Sequence, residues 1–402
     1  MSRFGTMESK RNAVVVGGGG HVGLPLSIVL ANSGIETYAF DISEDVVNMI
    51  NSGQMPFQED DAEINLARAL ELQKLKATTN PECITKSHYI IVVIGTPVDE
   101  HLSPNPNSVV SAILELERYL HEGQVILLRS TVFPGVTRKV FVEMRKRFPK
   151  IRLAYCPERI IEGQALKEIK TLPQIIGAYD NESFEAAKVL FDQIGVESIH
   201  VTPEEAELAK LFTNVWRYIK FASANQFWMM ANDLGVDYEE VRRAIAYKYP
   251  RAADLPSAGF AAGPCLFKDT MQLSALVQQN FPLGHSAMMI NEGTPGYLVR
   301  RIKQKYDLRN MTVGILGMAF KGNVDDTRSS LAYKLRKLMM FEAKDVLISD
   351  PFTKDVRNTP IEKVLEESDL LIIGAPHTQY KTMKIKKPVI DIWGLRGDGV
   401  LV

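Results

Sequence analysis

The chain has 402 residues, 47 of them lysine or arginine and 48 aspartate or glutamate. That length suggests two or three domains with ample buried core, and the near-zero charge balance gives no reason to expect nucleic acid or an anionic membrane as partner. Three cysteines, Cys83, Cys156 and Cys265, are too few and too scattered for a disulfide framework or a zinc site; with no secretory signal and no membrane-length apolar run, they point to the reducing cytoplasm and to no bound metal.

In chain order, Asn12 to Val16 reads as a short strand, followed by GGGGHVGLPL and a helix from about Val22 to Asn32. A second strand, Glu36 to Phe40, ends in Asp41. Gly18, Gly20 and Gly23 fit the spacing G-x-G-x-x-G. Gly18 is expected to allow the tight turn, Gly20 to let the backbone approach a pyrophosphate, and Gly23 to let helix pack on strand. Asp41 would accept hydrogen bonds from the adenosine ribose hydroxyls, and no arginine follows it, which favours NAD over NADP. A glycine triplet alone would say little; the order strand, loop, helix, strand, acid says much more.

Strands at Tyr89–Ile94 and Val125–Leu128 run into Gly95-Thr96-Pro97 and into Arg129-Ser130-Thr131. These are small polar residues at what would be the carboxyl edge of a parallel sheet, where open α/β folds hold ligands. Threonines before prolines are also ordinary turn residues, so Thr96 and Thr131 remain open on this ground. A strand at Leu153–Tyr155 leads to Cys156-Pro157-Glu158-Arg159-Ile160-Ile161-Glu162-Gly163. Glu158 and Glu162 suit acid–base work, although Glu158 could equally pair with Arg159 at the surface.

At Thr202 the pattern changes to one long helix. Thr202 as cap, Pro203 at the first position and Glu205 form a capping box, and no breaker appears before Gly235. The rod is roughly 50 Å long at 1.5 Å per residue. Its apolar content predicts that it is largely buried. Glu207, Lys210, Asn214, Arg217 and Asn225 recur on one stripe; such a stripe is usually a solvated face, but the apolar faces around it leave little of the helix for solvent, so Lys210 and Asn214 are expected to turn toward a cleft. Asp237 with Glu240 would cap the next helix.

Gly259 to Thr270, GFAAGPCLFKDT, passes from glycine and proline into helical spacing, so Cys265 is expected at a helix N-terminus. The dipole end and unpaired amides there favour a thiolate, and Asp269 would share the thiol's face with Lys268 beside it. A lone cytosolic cysteine is more often a small buried apolar residue. After a helix near His285 to Tyr306, Met311–Leu316 opens a second alternating block with strands at Val346–Ser349, Leu370–Gly374 and Val389–Ile392. Gly314 and Gly317, at the strand and the start of its first turn GMAFKGNVDDTRSS, do not complete the pyrophosphate fingerprint, so a second NAD site is not expected. Lys321 and Arg328 bracket Asp325-Asp326, where they could hold phosphate oxygens or form internal ion pairs. The fold class is therefore α/β: two Rossmann-like doubly wound domains joined by a long central helix and a helical middle domain. The expected bounds are 1–201, 202–306 and 307–402.

Taken together, GGGHVGLPL, Gly95-Thr96-Pro97, STVFPGVT, CPERIIEG, AELAKLFTN, the cysteine loop with Lys268-Asp269, GMAFKGNVDDTRSS and SDPF make the chain resemble the UDP-glucose/GDP-mannose dehydrogenase family, from about Arg11 to near the C-terminus. The resemblance implies oxidation of the C6 alcohol of a UDP-sugar to the carboxylate with two NAD, and a homodimer built on the helical core. It implies Cys265 as nucleophile, holding a thiohemiacetal and then a thioester. Lys210 would stabilise the oxyanion with help from Asn214, Asp269 and Thr131 would position a water, and Glu158 would assist thioester hydrolysis with Glu162 nearby. NAD would contact Gly18, Gly20, His21, Val22, Gly23, Asp41, Thr96, Pro97 and Thr131. The sugar nucleotide would contact Glu158, Lys210, Asn214, Arg217, Phe260, Gly263, Lys268, Lys321 and Arg328, the last from across the dimer. Cys156 stands where the family usually has serine and reads as structural.

GFAAGPC departs from the family's G-[FV]-G-G-x-C by two alanines and by setting Phe260 one residue further from the cysteine, so sugar contacts are expected to differ. CPERI and NVWRYIKFASAN, Arg217 included, resemble the branch acting on UDP-N-acetylhexosamines, whereas CLFKD resembles the UDP-glucose branch; the balance leans slightly to the former. Two rivals stand beside this reading. One is a two-electron dehydrogenase of the 6-phosphogluconate or β-hydroxyacid type, which has no use for a nucleophilic cysteine. The other is a non-catalytic NAD-binding descendant.

Overall fold

A computed structural model of the chain describes residues 12–96 and 105–402. Contacts divide it into two compact units, Met1–Thr213 and Asn214–Val402. The first unit is built on eight strands: β1 (Ala13–Val16), β2 (Thr37–Phe40), β3 (Leu75–Thr78), β4 (Tyr89–Val92), β5 (Val125–Leu128), β6 (Arg152–Tyr155), β7 (Gln174–Ala178) and β8 (Ser198–Val201). Their order is β3-β2-β1-β4-β5-β6-β7-β8, parallel throughout except where β7 runs antiparallel to β6. Val15, Ile91 and Leu127 enter one apolar core, while Val14, Ile90 and Ile126 enter another. Side chains alternate across a strand, so this sheet is covered on both faces, and its central strands consequently read as unbroken apolar runs. The reversal of strand order between β1 and β4 places the glycine-rich loop and the segment after β4 at the carboxyl edge.

The second unit carries four parallel strands, β9 (Thr312–Leu316), β10 (Asp345–Ser349), β11 (Leu370–Ile373) and β12 (Val389–Ile390), in the order β10-β9-β11-β12. The expected strands are present with ends moved by a few residues. Those at Leu75–Thr78, Gln174–Ala178 and Ser198–Val201 had no assignment from sequence. No helix among the described residues is long and apolar enough to cross a membrane.

The long helix runs Pro203–Asp233, and the division between the units falls within it. Its capping box forms as expected: the Thr202 amide donates to Glu205 at 2.8 Å and the Glu205 amide to the Thr202 hydroxyl at 3.3 Å. Its amphipathicity is the reverse of a solvated helix. Glu207, Lys210, Asn214, Asn225 and Asn232 are buried, whereas Phe212 (55% exposed), Trp216 (57%), Phe227 (47%) and Met230 (54%) are open in the single chain. The helix is expected to be largely buried, and in the single chain one face stays open. Hydrophobicity alone says that a residue wants cover, not that its own chain supplies it.

Candidate active site

The dinucleotide loop shows which glycine does what. The positive φ, +83°, lies at Gly17 and not at Gly18, so the tight turn expected at Gly18 is made one residue earlier. Gly18 is needed for approach, since a Cβ there would lie 2.6 Å from Ala39 Cα; at Gly23 one would lie 2.1 Å from Gly17 O. At Gly20 the nearest atom to such a Cβ is Gly17 O at 3.7 Å, which leaves the loop surface open where a pyrophosphate would lie. Asp41, just past β2, accepts from the Gly19 amide through Oδ2 at 2.9 Å and from the Ser43 amide through Oδ1 at 3.2 Å. These residues fit NAD: a cradle without side chains beside an acid at the end of β2. His21 lies in the same loop with Nδ1 3.1 Å from Glu162 Oε1, so Glu162 is tied to the cofactor loop, and Val22 precedes the helix Gly23–Asn32. Thr96 donates its hydroxyl to Thr131 O at 2.7 Å, joining the two strand ends. Pro97 lies outside the described residues.

Glu158 is buried, and its ion pair is with Arg129, not with Arg159. Oε1 accepts the amides of Arg159 (2.8 Å) and Ile160 (3.1 Å), while Oε2 takes the Arg129 guanidinium. Each carboxylate oxygen has two acceptor sites, so among the described residues one remains on Oε2. Arg129 is itself held by Gln174 Oε1 at 2.8 Å. Sequence reasoning missed it, because the pairing spans 29 positions and leaves no local pattern. Cys156 is fully buried and its thiol is pushed up to about 12 by burial, as a structural cysteine would be.

The polar stripe of the long helix anchors loops. Glu207 accepts the amides of Gly135 (2.6 Å) and Thr137 (2.8 Å), which are orphan donors at the start of the helix Val136–Arg147 that follows the Thr131 segment. Burial pushes the Glu207 carboxyl above the usual glutamate range, with the two amides opposing. In the second unit, Asn225 accepts the Gly259 amide at 3.0 Å and donates to Asn291 at 3.0 Å, fixing the start of the cysteine loop. Asn214 donates to Asp269 Oδ2 at 2.5 Å. Arg217 is half-buried on the same helix.

Cys265 is the cap residue of the helix Leu266–Leu276 and is exposed. The Asp269 amide donates to Cys265 O at 2.9 Å, and the buried Asp269 carboxylate lies 3.7 Å from Lys268 Nζ. Glycine stays in the loop where backbone conformation demands it: Gly259 has φ +152° and Gly263 φ +105°, and a Cβ would strike Trp393 at 2.4 Å or Phe320 at 2.7 Å. The alanines at 261 and 262 fall between these points, and with Gly263 they line a cavity of about 410 Å³ bordered by Lys334 and Lys337. The Phe260 ring is buried edge-to-face against Trp393, so at this position only the backbone is left to meet a sugar. Arg328 takes the internal option foreseen for it, donating Nε to Asp326 Oδ2 at 2.8 Å, and Lys321 lies in the loop after β9.

Residues 12–195 match the NAD binding domain of the UDP-glucose/GDP-mannose dehydrogenase family, residues 204–293 its central domain and residues 314–395 its UDP binding domain. The chain belongs to the UDP-glucose/GDP-mannose dehydrogenase family. This dehydrogenase uses NAD and acts on a UDP-sugar. The UDP-N-acetyl-D-mannosamine dehydrogenase of Methanocaldococcus jannaschii is 30% identical to it over 378 residues, 92% of this chain and 87% of that one. Among solved structures, the UDP-D-ManNAc dehydrogenase of Pyrococcus horikoshii is similar at a TM-score of 0.86 and 28% identity, covering 95% of this chain and 94% of its own. A UDP-glucose dehydrogenase of Pyrobaculum islandicum gives 0.85 at 25% identity, covering 97% and 95%.

Proposed function

We propose that the chain oxidises the C6 alcohol of a UDP-sugar to the carboxylate in two successive two-electron steps at one site, with Cys265 holding the half-oxidised carbon. The observation that carries this reading is an exposed thiol at a helix N-terminus, one turn before a buried aspartate. NAD, held at the glycine-rich loop and Asp41, would supply the hydride acceptor for each oxidation.

The rest falls to side chains. Asp269 and Thr131 position the water that receives the proton of the C6 hydroxyl. The Cys265 thiolate adds to the resulting aldehyde, forming a C–S bond and an oxyanion that Lys210 stabilises, with Asn214 one helical turn away. A positioned donor of this kind is worth about 10²–10³ in rate. The second oxidation leaves a thioester. Glu158, oriented by Arg129, takes a proton from water through its remaining Oε2 acceptor site; water adds to the thioester carbon, the C–S bond breaks and the thiolate leaves. Glu162, tied to His21, supports the cofactor loop beside this step.

We assign residues 1–201 to NAD, 202–306 to the helical core and 307–402 to the sugar nucleotide, with Arg217, Phe260 through its backbone, Gly263, Lys268, Lys321 and Arg328 on the substrate side. The N-acetylhexosamine branch is favoured over glucose, supported by the relatives that oxidise UDP-N-acetyl-D-mannosamine. Reduced thiols at Cys83 and Cys156 fit a cytoplasmic setting. A homodimer is supported by the apolar stripe that the long helix leaves open. The test is stoichiometric. With UDP-N-acetyl-D-mannosamine, UDP-N-acetyl-D-glucosamine and UDP-glucose offered in turn, the accepted sugar should yield two NADH per carboxylate, read by absorbance and product mass; a ratio of one with an aldehyde or ketone product would replace this reading with the two-electron rival.

A further inference from the structure

The four-stranded sheet has a switch point of its own. β9 lies between β10 and β11, so the loops after β9 and β11 flank a crevice of the kind in which open α/β sheets bind ligands. The loop after β9 carries Lys321, and the loop after β11 carries His377.

Two buried side chains outside the reaction scheme shape the Lys321 loop. Asp350, just past β10, accepts the amides of Met318 (2.5 Å) and Ala319 (3.1 Å) through Oδ2, and those of Phe352 (2.8 Å) and Thr353 (3.1 Å) through Oδ1. His377, fully buried, receives the Asn323 amide at Nδ1 (2.9 Å) and sets Nε2 3.0 Å from Asp350 Oδ2. An amide hydrogen at Nδ1 requires a lone pair there, so the ring proton sits on Nε2 and is donated to Asp350. One carboxylate and one imidazole, bonded to each other, thus clasp both ends of the segment 318–323. Further contacts restrain it at Gly322, Asn323 and the preceding Gly317. A Cβ at Gly322 would lie 2.3 Å from Pro376 O, Gly317 has φ +90° against Ala375, and the Asn323 amide group bonds Thr378 in both directions at 2.7 and 2.9 Å.

We propose that His377 and Asp350 are positioning residues that set the backbone of 318–323 so that Lys321 is presented to the diphosphate of the sugar nucleotide. The proposal rests on the reading of Lys321 as a nucleotide contact. A pair of merely structural value would lower stability without altering affinity for one ligand. A positioning pair instead couples to Lys321 and leaves the NAD half of the reaction alone.

The experiment titrates UDP alone, by calorimetry, into the full-length protein, His377→Ala, His377→Gln, Lys321→Met and the double variant His377→Ala/Lys321→Met, with unfolding midpoints and steady-state kinetics on each. Losing a charge-assisted contact should weaken UDP binding about tenfold in Lys321→Met and comparably in His377→Ala. The double variant should be no weaker than Lys321→Met within about twofold, because the clasp acts through the lysine. His377→Gln, which keeps one donor and one acceptor, should recover most of the loss. In the His377 variants, KM for the sugar nucleotide should rise while kcat and the KM for NAD stay within about twofold. Unchanged UDP affinity in His377→Ala, or losses that multiply in the double variant, would overturn the proposal. Unchanged UDP affinity in Lys321→Met would overturn the reading of this loop and the proposal with it. Should His377→Ala fail to fold, Asp350→Asn, alone and combined with Lys321→Met, makes the same comparison.

Discussion

Two kinds of thiol share this chain, and their surroundings separate them. Cys83 and Cys156 are buried, and burial pushes their thiols up to about 11 and about 12, whereas Cys265 is exposed at a helix start whose dipole favours the anion. Brief iodoacetamide treatment of the native protein at neutral pH should therefore modify Cys265 alone, by peptide mass mapping. Cys265→Ser should abolish acid formation and leave NAD affinity unchanged by fluorescence titration; retained turnover would defeat the covalent mechanism. Asp350 yields a prediction in pH. Burial alone would raise its carboxyl, but the His377 hydrogen bond and the amides of Met318 and Phe352 outweigh that and hold it at about 2, below the ordinary 3.8. The unfolded chain then takes the proton first, so the stabilisation is present above about pH 4 and is lost as pH falls toward about 2. Asp350→Asn should lower the urea midpoint at neutral pH, and its gap to the wild type should narrow over that acid window; a constant gap would mean that the carboxylate's charge plays no part. Little of this pairing was legible beforehand. The cysteine's place was, because glycine and proline followed by helical spacing is a local signal; the Arg129–Glu158 and His377–Asp350 pairs join residues 29 and 27 positions apart and leave none.

At the scale of the element, the long helix sets polar residues inward and apolar ones outward. Advancing about 100° per residue, Phe212, Trp216, Phe227 and Met230 fall within about 60° of arc, and Glu207, Lys210, Asn214 and Asn225 lie on the opposite side. Three groups of the inward stripe are held by partners: Glu207 caps another helix, Asn214 holds Asp269 and Asn225 holds the Gly259 amide. The outward stripe is an apolar patch that a second copy would cover. The wild type should therefore sediment as a dimer at micromolar concentration, and Trp216→Glu/Phe227→Glu should sediment as a monomer with its helical circular dichroism retained. A monomeric wild type would remove the support for dimerisation through this face. The helix itself, its cap at Thr202 and the periodicity of its polar residues were legible in the sequence. That the apolar stripe would lie open in the single chain was not.

For the whole molecule, two sheets with the same local logic hold different ligands. The first loop, after β1, turns at Gly17 and keeps an open surface at Gly20. In the loop after β9, the amides of Met318, Ala319 and Asn323 are already taken by Asp350 and His377, which leaves no equivalent cradle. Calorimetry should accordingly find one NAD per chain, and Asp41→Ala should weaken it about tenfold, the loss of a charge-assisted contact; two NAD sites per chain would contradict the different roles given to the two sheets. The amino-acid sequence by itself determined nine of the twelve strands among the described residues, the two α/β blocks, the glycine-rich loop and the helix start at Cys265. Each of these depends on residues near one another along the chain, where turn preference and apolar periodicity act directly. Only the tertiary structure decided that Gly17 makes the turn, that Glu158 answers to Arg129, and that an apolar face of the long helix is left open. Those outcomes depend on which distant groups arrive within hydrogen-bonding reach once both sheets have formed, because a buried carboxylate or amide is tolerated only beside a partner that the rest of the chain brings to it.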